Sequence, residues 1–260
     1  MKIALYQMNI SFEDKEGNFG KVCRAAEKAA YEGADVLFLP EMSFTGFSMN
    51  TELTAESDNS SMSFVRNLCV RFGISTGFGW VRKSENKAEN CYSVIDRNGR
   101  ELNTYVKMHP FSYSEENRYF SGGSSIAFYA VENIGFSTAI CYDMRFPELF
   151  SGICRDGKVK AVVIPANWPA ERSEHWKVLT RARAIENQIY IFAVNCVGEM
   201  SGLYYSGNSC VIAPDGEIIV CSDDREELIF AETDFSYADR LRKSFPVKND
   251  RRTELYKSFL

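Results

Sequence analysis

The sequence predicts an α/β fold of layered sheets and helices, on three observations. Short all-apolar runs, such as Val36-Leu37-Phe38-Leu39 and Ala161-Val162-Val163-Ile164, suit strands covered on both faces. Between them lie segments whose apolar residues recur every three or four positions, as amphipathic helices require. This alternation continues through the 260 residues without a composition shift that would mark a linker, so one domain over 1–260 is expected.

Residues 2–9 read as a buried strand. Val22, Ala25, Ala26, Ala29 and Ala30 then follow at helical spacing until Gly33 ends the helix. Residues 36–39 form the next strand, stopped by Pro40, which delivers Glu41. A helix over 63–72 precedes strands at 74–81 and 91–96. Arg97-Asn98-Gly99-Arg100 is a hairpin turn, because Asn-Gly supplies the positive φ angles such turns need. The strand after it, Glu101–Val106, delivers Lys107. Residues 108–123, rich in Ser, Glu, Asn and Gly, read as a long loop of the kind that is more often functional than idle.

A strand over 134–140 runs directly into Cys141-Tyr142-Asp143. Pro147 and Glu148 open a helix, with proline at the first helical position and an acid in the first turn. Residues 161–164 are strand again, leading into the loop Pro165-Ala166-Asn167-Trp168-Pro169. A helix over Ser173–Asn187, a strand over 189–197 and a hairpin through Pro214-Asp215-Gly216 complete the pattern. No repeat of 20–50 residues and no low-complexity tract interrupts it.

The formal charge of -5 argues against a phosphate-backbone partner, and the run Arg240, Arg242, Lys243 reads as a solvated helix face. Gln7 and Asn9 come too early for a signal-peptide core, and no stretch reaches the ~18 apolar residues of a membrane span. A soluble cytoplasmic protein with no nucleic-acid or membrane partner is expected. None of the eight cysteines makes a Cys-x-x-Cys clip, so no structural metal is expected. Apart from Cys141 they read as small buried hydrophobes, as Cys196 does at the end of residues 191–196.

Glu41, Lys107 and Cys141 all stand at the carboxyl ends of apolar strands, the edge at which open α/β sheets bind ligands. Singly, each has an ordinary structural explanation: a solvent-facing acid, an edge lysine, a core thiol. Together they form a chemical set. A free thiol has a pKa of about 8.5, so a nucleophilic cysteine needs a base or a nearby positive charge. Glu41 can take the proton and Lys107 can favour the thiolate. Attack on an amide then places negative charge on the carbonyl oxygen, which Lys107 and the backbone N–H of Tyr142 could stabilise by ~3 kcal/mol per donor. Collapse expels ammonia protonated by Glu41, and the same carboxylate next activates water against the thioester.

The two histidines, His109 and His175, leave little room for a Cys–His or Ser–His–Asp site. His109 reads as ordering the loop after Lys107, and His175 opens a helix. The Gly-x-Ser-x-Gly elbow is absent, and Gly77-Phe78-Gly79 lacks the third glycine of a nucleotide-binding turn.

Leu39-Pro40-Glu41-Met42, Tyr105-Val106-Lys107-Met108-His109 and the run from Ala139 to Glu148 resemble the three signature segments of the nitrilase superfamily, the carbon–nitrogen hydrolases. The similarity continues through Asn167-Trp168-Pro169, residues 181–188 and Gly207-Asn208-Ser209. It implies a four-layer α-β-β-α sandwich, a homodimer stacked through helices beside the active site, and neither cofactor nor metal. It also implies a second glutamate in the loop after the lysine, assigned to Glu116, with the adjacent Glu115 as the alternative. Pro110, where relatives often carry leucine, is a departure that bears on loop shape.

Residues 165–170 together with His175-Trp176 are most similar to the omega-amidase branch. That resemblance implies a small amide substrate, an ω-monoamide of a dicarboxylate such as 2-oxoglutaramate or succinamate. Asn167 and Trp168 would line its pocket, and Arg145, Arg172 or His175 would meet its carboxylate. An N-carbamoyl hydrolase or a nitrilase of the same superfamily is the alternative. A catalytically silent binding protein of this fold is a third reading, against which the intact Glu, Lys and Cys set argues.

Overall fold

The computed structural model describes residues 1–258. Its strands in chain order are β1 (Lys2–Gln7), β2 (Val36–Phe38), β3 (Ser75–Arg82), β4 (Glu89–Ile95), β5 (Glu101–Val106), β6 (Tyr129–Val131), β7 (Ile134–Thr138), β8 (Ala161–Ala166), β9 (Tyr190–Asn195), β10 (Val197–Met200), β11 (Leu203–Ser206), β12 (Cys210–Ile212), β13 (Ile218–Cys221) and β14 (Glu227–Glu232). They form two six-stranded sheets, ordered β14-β1-β2-β3-β4-β5 and β13-β12-β9-β8-β7-β6, plus the hairpin β10-β11.

The period-two alternation of each central strand builds the layers. In β1, Ile3 and Leu5 face the other sheet and join Phe38, Phe136 and Phe192 between the sheets. Ala4 and Tyr6 face outward onto Val22, Ala25, Ala26 and Ala29 of the helix Lys15–Tyr31. In β8, Ala161 and Val163 point inward. Val162 and Ile164 point outward onto Leu149, Phe150, Trp176 and Ala184 of the helices Pro147–Ile153 and Ser173–Asn187. The result is the expected four-layer α-β-β-α sandwich. Each fully buried large side chain contributes ~1.5–3 kcal/mol, which makes these three apolar interfaces the main driving force.

Local chemistry sets the helix ends. Asp14 caps the helix Lys15–Tyr31 by accepting from the Gly17 N–H at 3.0 Å. The helix Ser60–Phe72 begins three residues earlier than its apolar periodicity indicates, because the Glu56 carboxylate accepts the Ser61 N–H at 2.9 Å. Gly73, at φ 67°, closes it in the left-handed region.

Several expectations need correction. The stretch 108–123 is not structureless, since Ser112–Ser114 and Glu116–Tyr119 each form a helical turn. Arg242 does not lie on a solvated face: it donates to the carbonyls of Gln188, Gly157 and Val159 at 3.1, 2.8 and 2.8 Å, tying the helix Ser236–Ser244 to the loops beneath it. Cys69, Cys91, Cys154, Cys196 and Cys210 are buried as expected, whereas Cys23 is half-buried and Cys221 exposed. Cys23 falls off the apolar stripe of its helix, and Cys221 ends the edge strand β13. Among the described residues no helix is long and apolar enough to cross a membrane.

The parallel pairing of β2 with β1 and β3 holds residue 41 at the centre of the first sheet's carboxyl edge. Gly79 on β3 is packed against that strand end. A Cβ there would stand 2.2 Å from the Met42 nitrogen and 2.8 Å from the Glu41 carbonyl carbon, both backbone atoms. Gly79→Ala is therefore expected to destabilise the protein by about 2 kcal/mol, lowering Tm by roughly 5 °C, and calorimetry would read the shift.

Candidate active site

Three strand ends and one loop turn converge at the edge where the sheets meet. Glu41 is buried beyond β2, Lys107 is buried beyond β5, and Glu116, also buried, opens the turn Glu116–Tyr119. The Lys107 ammonium donates to Glu41 Oε1 at 2.9 Å and to Glu116 Oε2 at 2.8 Å. Asn90 Nδ2 bridges the two acids, 2.8 Å from Glu41 Oε1 and 3.0 Å from Glu116 Oε1. The Asn167 N–H donates to Glu41 Oε2 at 2.9 Å, and the Phe111 N–H donates to Glu116 Oε2. Of the two adjacent glutamates it is Glu116 that meets Lys107, while Glu115 lies outside in a pair with Arg118.

Cys141 stands at φ 47°, in the left-handed region that a residue with a Cβ seldom adopts. The strained corner is braced by the fully buried Asp143. Its Oδ2 accepts from the Ile140 N–H at 2.9 Å and the Tyr105 hydroxyl at 2.8 Å. Its Oδ1 accepts from the His109 N–H at 2.9 Å and lies 2.8 Å from His109 Nδ1. His109 thus orders the loop after Lys107, and the loop and the cysteine corner share one carboxylate. Tyr142 is the second residue of the helical turn Cys141–Arg145, which leaves its N–H in the first turn of a helix.

The charges are unequal. One ammonium faces two carboxylates, so a thiolate would bring a third negative charge to a buried site. Burial, and then the Glu41 charge, push the Cys141 thiol well above the ordinary range, against the opposing pull of Lys107. Burial also disfavours the Lys107 ammonium, but Glu116 and Glu41 outweigh it and raise its pKa. The resting site therefore holds a neutral thiol beside a fixed ammonium. Glu41 already accepts three hydrogen bonds, and a carboxylate has about four lone-pair positions, so one remains for the thiol proton.

A cavity of about 300 Å³ opens above Cys141. Lys107, Asn167, Trp168, Arg145, Arg172 and Tyr205 all border it. Asn167 donates through Nδ2 to the Glu41 carbonyl at 2.7 Å, and its carbonyl O is 3.9 Å from the Cys141 sulfur. Trp168 is buried and donates to the Arg172 carbonyl at 2.7 Å. The Arg145 guanidinium lies 4.7 Å from the Trp168 ring centroid and 3.2 Å from His175 Nδ1. His175 lies behind Arg145, outside the cavity lining. Sequence reasoning missed Asn90, Asp143 and Tyr205. Asp143 stood inside a quoted segment, but nothing in its spacing says that a buried acid closes the corner. Asn90 sits in an ordinary strand, and only the pairing of β4 with β5 brings it to Lys107.

The carbon-nitrogen hydrolase family model matches residues 2–243. The chain is 33% identical over 257 residues to the 2-oxoglutaramate amidase of Bacillus subtilis (strain 168), covering 98% of each. It is 30% identical over 252 residues to the omega-amidase YafV of Escherichia coli (strain K12), covering 96% of each. Among solved structures, a CN-hydrolase superfamily protein from Xanthomonas campestris, carrying an arsenic adduct in its active site, superposes with a TM-score of 0.90 at 27% identity, over 96% of this chain and 97% of that one. An amidase from Nesterenkonia sp. shares the fold at a TM-score of 0.89 and 24% identity, over 100% of this chain and 96% of that one.

The electrostatics give a signed expectation. Removing the Glu41 charge removes a contribution that raises the thiol, so in Glu41→Gln the Cys141 thiol should ionise at lower pH than in the wild type. The pH profile of Cys141 alkylation by iodoacetamide, followed by peptide mass spectrometry, would show this as a wave moved to lower pH.

Proposed function

The chain belongs to the carbon–nitrogen hydrolase family, and from that membership we propose an ω-amidase that hydrolyses small ω-monoamides of dicarboxylates through a thioester on Cys141. It is an enzyme acting on carbon–nitrogen bonds other than peptide bonds, and its relatives mark it as an amidase. The substrate and the covalent route are the proposal.

In this mechanism Glu41 takes the Cys141 proton as the sulfur attacks the amide carbon. The transfer leaves the net charge of the site and the substrate together unchanged and moves one negative charge from Glu41 to the substrate, which avoids a free thiolate at this site. Negative charge moves to the substrate oxygen, where Lys107 and the Tyr142 N–H stabilise it. Glu116 holds the ammonium in place and does not touch the reacting atoms. Collapse breaks the C–N bond, with Glu41 protonating ammonia as it leaves. The carboxylate then deprotonates a water that cleaves the thioester, and the proton returns to sulfur.

The observation that carries the substrate reading is the state of Arg145. It borders the cavity above Cys141 and, among the described residues, has no acidic partner. Burial, and the like charge of Arg172, lower its pKa, so an arriving carboxylate would relieve both. Arg172 borders the same cavity, with only the neighbouring Glu171 at 3.5 Å. Amide at the sulfur and carboxylate at the arginines describe a dicarboxylate monoamide. A homodimer through the helix Ser173–Asn187 belongs to the same proposal, supported by Val178 and Ile185, which stand 61% and 48% exposed on it.

Ammonia release from 2-oxoglutaramate and succinamate tests the reading directly. Activity is expected in the wild type and its loss in Cys141→Ala; equal release from both would remove the thiol from the mechanism. Glu41→Gln should stay folded and lose at least about a thousandfold in kcat, because a neutral amide cannot accept the thiol proton. For Arg145→Gln, KM for succinamate should rise about ten- to a hundredfold while a neutral amide such as butyramide is unaffected. Carbon dioxide released with ammonia would instead indicate an N-carbamoyl substrate.

A further inference from the structure

Tyr205, on the hairpin strand β11, borders the cavity above Cys141 and is 2% exposed. Five other tyrosines are buried, and each has a partner for its hydroxyl. Tyr6 bonds Glu226 at 2.6 Å, Tyr92 the Leu39 carbonyl at 3.0 Å, Tyr105 Asp143 at 2.8 Å, Tyr129 Thr138 at 3.0 Å, and Tyr190 the Asp234 carbonyl at 2.9 Å. Among the described residues the Tyr205 hydroxyl has none. It is not among the buried polar atoms left without a partner, so, with Tyr205 on the cavity wall, the hydroxyl is open to the cavity. With no partner in the protein, the hydroxyl is free to donate to a ligand that displaces water from this wall.

The chemistry of the acceptor follows from the surroundings. Burial first, and then the Glu41 charge, push the phenol far above its usual range, so it stays protonated and able to donate. Tyr205 borders the same cavity as Cys141, the reacting group, and Arg172, a carboxylate partner in the proposed binding mode. An α-ammonium offers no acceptor and would enter beside Arg145 and Arg172, whose only nearby acid on the cavity is Glu171, 73% exposed at the rim. A carbonyl oxygen accepts and carries no charge.

We propose that Tyr205 determines specificity by donating its hydroxyl to the oxo oxygen of a 2-oxo-ω-amide substrate, selecting 2-oxo acids over their unsubstituted and 2-amino counterparts. This rests on the ω-amidase reading and deepens it.

2-Oxoglutaramate and glutaramate differ only in the oxo group, so steady-state kinetics with the pair isolate the contact. The wild type should prefer 2-oxoglutaramate by about tenfold in kcat/KM. Tyr205→Phe should lose about tenfold on 2-oxoglutaramate and less than about twofold on glutaramate. Competitive inhibition reads the same contact without turnover: the variant should raise the inhibition constant of 2-oxoglutarate and leave that of glutarate in place. No hydrogen bond within the chain is lost in the variant, and its thermal transition would confirm the fold. No wild-type preference, or losses on the two substrates that are equal or both absent, overturns the assignment of Tyr205 alone. A wild type that turns over neither compound overturns the ω-amidase reading and this assignment together.

Discussion

A buried ammonium held between two buried carboxylates is the interaction on which the rest of the site depends. Three charges out of water are costly unless they are paired and hydrogen-bonded, and here Asn90 and the N–H groups of Asn167 and Phe111 add donors to the two carboxylates. Removing the ammonium would leave two buried carboxylates uncompensated, a loss typically of about 3–5 kcal/mol. The arrangement leaves one excess negative charge, and that excess keeps the Cys141 sulfur protonated. In the proposed mechanism, reactivity resides in the paired movement of proton and sulfur rather than in a stored thiolate.

The backbone around this set is shaped to hold it. Gly79 allows β3 to touch the strand end that carries Glu41, and Asp143 braces the left-handed corner at Cys141 while anchoring the loop that brings Glu116 to Lys107. Strain at residue 141 and a fully satisfied buried acid two residues later are one construction: the second holds the first in place.

The layers and the placement of Glu41, Lys107 and Cys141 at strand ends were legible because they rest on local patterns. Apolar runs of strand length, helical spacing at Val22 to Ala30, and polar residues at strand ends all survive in one dimension. The four-layer stacking came from the resemblance of three segments, and the alternation of β1 and β8 between two cores gives it a physical basis. What escaped depends on pairing at a distance. β14 pairs with β1 across the whole chain, Asn90 reaches Lys107 only through β4 and β5, and Arg242 finds its three carbonyls only after the helix docks. Choosing Glu116 over Glu115 required a turn that no spacing announces, since Glu115 sits at φ 60° and so presents its neighbour inward.

With its thiol pushed well above the ordinary range, Cys141 rests as a neutral thiol. Difference ultraviolet absorbance of the thiolate, wild type minus Cys141→Ala, from pH 6 to about pH 9, measures this most directly. The expected result is no thiolate signal from Cys141 through the range where a free thiol ionises, near pH 8.5. A thiolate already present at neutral pH would contradict it.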